Sequence, residues 1–283
     1  MSQITHQQWL SEAAESLAGQ SDTAMLDARV LLCFVLNKPL SYLLTWPERL
    51  INPKSLSAVN ALCNRRHQGE PIAYITGHRE FWSLNFKVTP DVLIPRPETE
   101  LMVELALEAI TRSKRSDFKV LELGTGSGAI AVALASEHPE LNIVATDYSE
   151  AALNIARENA ESNNCDNIQF LQGSWFECLN DEKFDLILSN PPYVAPSDPH
   201  LSAGDLPSEP YAALVADNNG LADIEHIIAH AQNYLIPEGM IALEHGYNQA
   251  QEIRAMMTEQ GFRMAKTHSD LANIDRVTSA IFS

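Results

Sequence analysis

From Lys119 onward, short apolar runs rich in β-branched residues alternate with longer helical segments, and few architectures accommodate that alternation. Strand "KVLELG" leads to helix "SGAIAVALASEH", strand "LNIVATD" to helix "SEAALNIARENAES", and then come strands "IQFLQG" and "FDLILSN". Helix "LADIEHIIAHAQNYL", strand "MIALEH", helix "QAQEIRAMMTEQG" and the closing strands "RMAKTHS" and "RVTSAIF" complete the pattern. This order predicts an α/β domain, a largely parallel sheet with helices on both faces. The 283 residues leave room for a second, smaller domain.

The first 75 residues or so read as helices. Thr5 and Gln8 have capping-box spacing before "QQWLSEAAESLAG", and Gly19 follows as a stop. Asp22 is expected to cap "TAMLDARVLLCFVLN", whose Leu26, Val30, Leu31, Phe34 and Val35 fall on one stripe. Pro39, Pro47 and Pro53 divide the remainder into short helical pieces. The resulting bundle holds no catalytic grouping, so it serves docking or structure alone. Residues 78–95, "HREFWSLNFKVTPDVLIP", predict a linking hairpin, after which Pro97 and Glu98 begin the helix "ETELMVELALEAI".

"LELGTGSGA" sets a glycine-rich turn between the first strand of the α/β part and its helix. Gly124 and Gly126 permit a tight turn close to a ligand, and Gly128 permits close helix packing. Alone, the loop also satisfies a loose dinucleotide fingerprint. Glu122 weighs against that reading, because a carboxylate in this crevice repels a pyrophosphate and attracts the ammonium group of an amino acid, such as that of S-adenosylmethionine. Asp147 closes the second strand, where it either accepts ribose hydroxyls or caps the helix beginning "SEAAL". Trp175 either stacks on an adenine edge or sits in the core.

"SNPPYV" follows the strand expected beside the glycine-loop strand, at the carboxyl edge where such sheets bind ligands. Pro191 and Pro192 stiffen the backbone and hold Asn190 extended. The Asn190 side-chain carbonyl and the Pro191 main-chain carbonyl then form a rigid pair of acceptors suited to an NH2 group. An amide or aromatic amine is a poor nucleophile; gripping both hydrogens turns its lone pair toward a methyl sulfonium, by orientation and electrostatics without a general base. Tyr193 is expected at the rim, stacked on the planar group being methylated.

Together, "FWSLNFKVTPDVLIPRPETE", "LELGTGSGAIAVALA", "SNPPYV" and "ALEHG" resemble the release factor glutamine methyltransferases, the PrmC/HemK family, over nearly the whole chain. The resemblance implies a helical substrate-docking domain (1–75), a β-hairpin linker (76–95) and a class I S-adenosylmethionine-dependent methyltransferase domain (96–283) with a Rossmann-like, mostly parallel seven-stranded sheet. It implies methyl transfer to the side-chain amide of the glutamine in the Gly-Gly-Gln motif of class I peptide chain release factors. By position, Glu122, Gly124, Thr125, Gly126, Ser127, Gly128, Asp147, Trp175 and Asn190 take the cofactor roles. Asn190, Pro191, Pro192 and Tyr193 hold the glutamine, with Asn190, Pro191 and Tyr193 as the catalytic set. Family members often carry Asp at the positions of Glu122 and Ser174. The first departure keeps the charge on a longer arm, and the second removes an acceptor for the adenine amino group.

The main rival is an adenine-N6 methyltransferase acting on nucleic acid, since the same device suits an aromatic amine. A formal net charge of −18 and only short basic bits, "NRRH" and "TRSKR", count against the phosphate contacts this would need. A dehydrogenase leaves Glu122 and "NPPY" unexplained, and a noncatalytic module that binds release factors or ribosomes has no need of a cofactor. Cys33, Cys63, Cys165 and Cys178 form no C-x-x-C pair, as in a reducing compartment. The polar start "MSQITHQQW" and the absence of an apolar run near 18 residues predict a cytoplasmic protein without membrane contact. A monomer without a metal is expected: His226 and His230 stand at i and i+4 but lack a third ligand. The segment 195–214 either covers substrate or forms an ordered structural loop, and Arg96 either reaches the cofactor or pins the linker.

Overall fold

The computed structural model describes residues 4–113 and 115–283. Met1–Gln3 of the polar start and Lys114 of "TRSKR" lie outside the described residues. The chain divides into two compact units, Met1–His78 with Pro199–Ser208 and Arg79–Asp198 with Glu209–Ser283.

The first unit carries α1 (His6–Leu17), α2 (Ala24–Leu36), α3 (Leu40–Thr45), α4 (Pro53–His67) and α5 (Ile72–Thr76). Thr5 opens α1 with the expected reciprocal cap: Gln8 N donates to Thr5 Oγ1 at 3.2 Å and Thr5 N to Gln8 Oε1 at 3.0 Å. Pro53 occupies the first turn of α4 behind an Asn52 cap. Two expectations for α2 are corrected. Thr23, not Asp22, is its N-cap residue, without a side-chain cap bond, because the Thr23 hydroxyl donates to Asp27 instead. Its buried face is Asp27, Ala28, Leu31 and Leu32, while Leu26 and Phe34 are about half exposed. Asp27 faces inward because Arg66 of α4 donates to it at 2.7 Å, and Arg66 also holds Asp205 at 2.6 Å. A charge pair inside the bundle breaks the apolar periodicity on which the stripe was read.

Next along the chain, β1 (His78–Phe81) and β2 (Leu84–Lys87) form the expected hairpin. Pro97–Thr99 then makes a 3-10 turn, and α6 (Glu100–Arg112) begins only after it, a correction to the expected start at Pro97. That turn places Thr99 beside the site described below. The α/β elements follow: β3 (Lys119–Leu123), α7 (Ala129–Glu137), β4 (Asn142–Asp147), α8 (Glu150–Ser162), β5 (Ile168–Gln172) and β6 (Phe184–Ser189). A short helical turn α9 (Asp217–Gly220), then α10 (Ala222–Ala231), β7 (Leu235–Glu244), α11 (Ala250–Glu259), β8 (Arg263–Ser269) and β9 (Asp275–Ile281) complete the unit.

The seven strands run β5-β4-β3-β6-β7-β9-β8, parallel except for the pairings of β9 with β7 and β8. The central strands bury both faces by alternation. Val120, Ile143, Leu186 and Leu188 pack with Met102, Val103 and Ile130 of α6 and α7. Leu121, Leu123, Val144 and Ile187 pack on the opposite face with Ile224, Ile227, Ile253 and Met257 of α10 and α11. Strand order therefore reverses between β3 and β6, and a crevice opens outside their carboxyl ends, where Leu123 pairs with Ser189. No described helix is long and apolar enough to cross a membrane.

Candidate active site

A cavity of about 490 Å³ occupies this crevice. Of the residues singled out from sequence, Glu122, Gly124, Thr125, Gly126, Ser127, Asp147, Trp175, Asn190 and Pro192 line it, whereas Gly128, Pro191 and Tyr193 do not. Gly124, Gly126 and Gly128 all have left-handed backbone, with φ of +69°, +55° and +82°. Gly128 starts α7, and a Cβ there would come within 3.1 Å of the Ala156 Cβ on α8, so its missing side chain lets the two helices approach. A Cβ on Gly126 would meet nothing within 4 Å, so this peptide stands open.

Two carboxylates flank the glycine loop. Glu122 is buried, and its Oε2 accepts from the Thr125 hydroxyl at 2.7 Å and from Ala131 N at 3.0 Å. Burial pushes its carboxyl up to about 8, against the pull of these two donors, and the Asp147 charge adds to the rise. Asp147 accepts from Gly126 N and Ser149 N, both at 2.9 Å, and burial raises its pKa as well. Ser149, not Asp147, caps α8, through Ala152 N at 3.2 Å, so the capping alternative for Asp147 is set aside. The Trp175 ring would lie 3.4 Å from a Cβ on Gly124, and it also packs on the second core face, so lining and core positions coincide. Its indole bonds Asp223, a further lining residue whose pKa is raised chiefly by burial. Ser174 lines the cavity too.

At the end of β6, Asn190 Nδ2 donates to Thr99 Oγ1 at 3.3 Å. Beyond it, the expected rim position of Tyr193 is corrected. The ring packs against the second core face, and its hydroxyl donates to Glu244 Oε1 at 3.4 Å. Burial, followed by the Glu244 charge, raises the phenol's pKa. The peptide is clamped from behind: Gln249 Nε2 donates to Tyr193 O at 3.0 Å, and a Cβ on Gly220 would lie 2.1 Å from that oxygen. Segment 195–214 is ordered into 3-10 turns, and its end, with Pro210, Ala212 and Ala213, lines the cavity. Arg96 lines the cavity and pairs with the buried Glu209, which also accepts from Ile94 N at 3.0 Å and so ties down the segment before α6.

Thr99, Tyr148, Asp223, Gln249 and Glu244 were not foreseen. Glu244 carried a signal, an acid ending an apolar strand as Glu122 and Asp147 do, within the quoted "ALEHG". Asp223 and Gln249 look like ordinary first-turn helix polars. His226 and His230 lie with ring centroids 4.3 Å apart, and no group of three metal-capable side chains occurs among the described residues.

The lining fits S-adenosylmethionine by its chemistry, with acids at the ends of β3 and β4, an open glycine backbone between them and an indole against it. Family comparison bears on the same point. A model described as a methyltransferase domain matches residues 114–279, and one described as a PrmC N-terminal domain matches residues 8–77. The chain is 51% identical over 259 residues to a protein of Aliivibrio fischeri named release factor glutamine methyltransferase, covering 91% of this chain and 90% of that relative. A protein of the same name from Vibrio cholerae is 50% identical over 277 residues, covering 97% and 96%. A methyltransferase from Pyrococcus furiosus superposes with a TM-score of 0.53 at 19% identity, over 77% of this chain and 98% of its own, a likeness of fold.

Proposed function

The chain belongs to the release factor glutamine methyltransferase family, and from that premise we propose how its residues move a methyl group onto the side-chain amide of a release factor glutamine. S-adenosylmethionine, when bound, supplies the methyl group on an electron-poor sulfonium. Glu122 takes the ammonium end of that cofactor, Asp147 its ribose hydroxyls, and Trp175 with the 124–128 loop its adenosine. The acceptor is the glutamine of the Gly-Gly-Gln loop of class I release factors. Asn190 Oδ1 and the Pro191 carbonyl receive its two amide hydrogens, with Pro192 stiffening the bend and Tyr193 closing it. The enzyme works as a monomer in the cytoplasm and without direct contact to nucleic acid.

The observation that carries this reading is the orientation of Asn190. Its Nδ2 donates to Thr99 Oγ1 at 3.3 Å, and in this proposal its Oδ1 is the acceptor offered to the substrate amide. An amide nitrogen held by two oxygens needs no base of its own, because the gain is in alignment. No observation favours the adenine-N6 alternative.

The helical unit is the docking element in this proposal. It exposes Met25, Leu26, Phe34, Leu40, Leu44, Trp46 and Leu50, each at least 38% accessible, within one 26-residue stretch. In this proposal these side chains meet the release factor. The decisive experiment incubates the pure protein with purified release factor and labelled S-adenosylmethionine and maps the modified peptide. Label on the Gly-Gly-Gln glutamine is expected, and its loss in Asn190→Ala with the fold retained. Label elsewhere, or full activity in that variant, overturns the reading.

A further inference from the structure

Glu244 ends β7 at the level where Leu243 pairs with Ser189, one residue before Asn190. Its side chain is 1% exposed and no cation pairs with it at salt-bridge distance among the described residues. Oε1 receives the Tyr193 hydroxyl at 3.4 Å, and Oε2 is buried without a hydrogen-bond partner among the described residues. A buried carboxyl with one oxygen left unpartnered costs stability, so packing does not explain it.

Its neighbours do. The Thr99 hydroxyl lies against the Glu244 carboxyl, where it opposes the rise of that group's pKa, and at 3.3 Å it accepts from Asn190 Nδ2. A hydroxyl owns one hydrogen. When that hydrogen goes to the carboxylate, Thr99 can only accept from Asn190, which forces the Asn190 amide to put its nitrogen toward Thr99 and its oxygen toward the crevice. Without the carboxylate the Thr99 hydrogen is free to turn to Asn190 Oδ1. The amide can then flip, presenting NH2 to a substrate that is itself an NH2 donor.

We infer that Glu244 is a positioning residue for methyl transfer: acting through Thr99 it holds Asn190 Oδ1 toward the acceptor amide, and through the Tyr193 hydroxyl it anchors the same bend. This rests on the reading of Asn190 as the acceptor of the glutamine hydrogens. The groups facing the carboxyl are Tyr193, Thr99, Glu98 and Arg276. Burial lifts its pKa to about 7, with Glu98 adding to the rise and Thr99, Tyr193 and Arg276 opposing it, so its ionisation falls within the assay range.

The test compares Glu244→Gln and Thr99→Val with the parent enzyme and Asn190→Ala, using a Gly-Gly-Gln release factor as substrate. Both variants are expected to lower kcat by about tenfold to a hundredfold, the range for misaligned reacting groups, while KM for both substrates stays within about threefold. The rise of kcat through neutral pH should vanish in Glu244→Gln. The Asn190 side-chain NH2 signals in ¹⁵N-correlated NMR, assigned by their loss in Asn190→Ala, should move with that titration in the parent and stay still in Glu244→Gln. Unchanged kcat in both variants, or Asn190 signals insensitive to pH, overturns the inference. If Glu244→Gln does not fold, Thr99→Val carries the test, since it removes the relay hydroxyl and leaves the carboxyl in place. Full activity of Asn190→Ala would bring down the parent reading, whereas an inactive Asn190→Ala beside fully active Glu244 and Thr99 variants would bring down this inference alone.

Discussion

Replacing Glu122 by Gln keeps the shape of the side chain and its acceptor for Thr125 and Ala131 N, and removes the charge. In the free protein the carboxyl titrates near 8, so at pH 7 roughly nine-tenths of the molecules carry its proton. A bound ammonium group favours the carboxylate and expels that proton. Calorimetric titration with S-adenosylmethionine at pH 7, in phosphate and in Tris, should therefore reveal a release that is larger in the parent than in Glu122→Gln by roughly nine-tenths of a proton. Stability follows with a definite sign. The folded pKa lies above the ordinary 4.5, so folding takes up a proton between those values and the Glu122 contribution falls as pH rises from about 4.5 to about 8. At about 1.4 kcal/mol per unit, the parent should lose on the order of 3 to 5 kcal/mol relative to the variant across that window. Urea unfolding at pH 5, 6, 7 and 8 reads the difference directly. Parallel stability curves together with equal proton release would refute the placement of an ammonium at Glu122.

Gly128→Ala meets both a φ of +82° and a Cβ 3.1 Å from that of Ala156, so a loss of about 2 to 4 kcal/mol is expected in urea unfolding; a loss below about 0.5 kcal/mol would contradict the close packing of α7 on α8. Arg66→Leu strands the buried Asp27 and should cost about 3 to 5 kcal/mol. The double variant Asp27→Leu/Arg66→Leu should recover most of that loss, and equal destabilisation in both would show that the pair matters for its volume and not its charge.

Much of the candidate site was legible because it is made of local sequence. Gly124, Gly126 and Gly128 take backbone angles that other residues avoid, and Pro191 and Pro192 constrain their own neighbourhood, so these segments announce themselves wherever they occur. The period-two alternation through Val120, Leu121, Ile143 and Val144 likewise declares a strand buried on both sides. Local patterns misled where a distant charge intervened, as when Arg66 drew Asp27 into the bundle and left Leu26 and Phe34 outside.

The sequence by itself determined the layered α/β architecture, the glycine turn and the stiff Asn190–Tyr193 bend, because sterics and hydrophobic periodicity act over a few residues. Only the tertiary structure decided which groups those pieces face. Asn190 meets Thr99 from 91 residues away, Tyr193 meets Glu244 from 51, and Arg96 meets Glu209 from 113. Such meetings depend on the order in which strands assemble, with β3 and β7 flanking β6, and no short-range rule encodes that order.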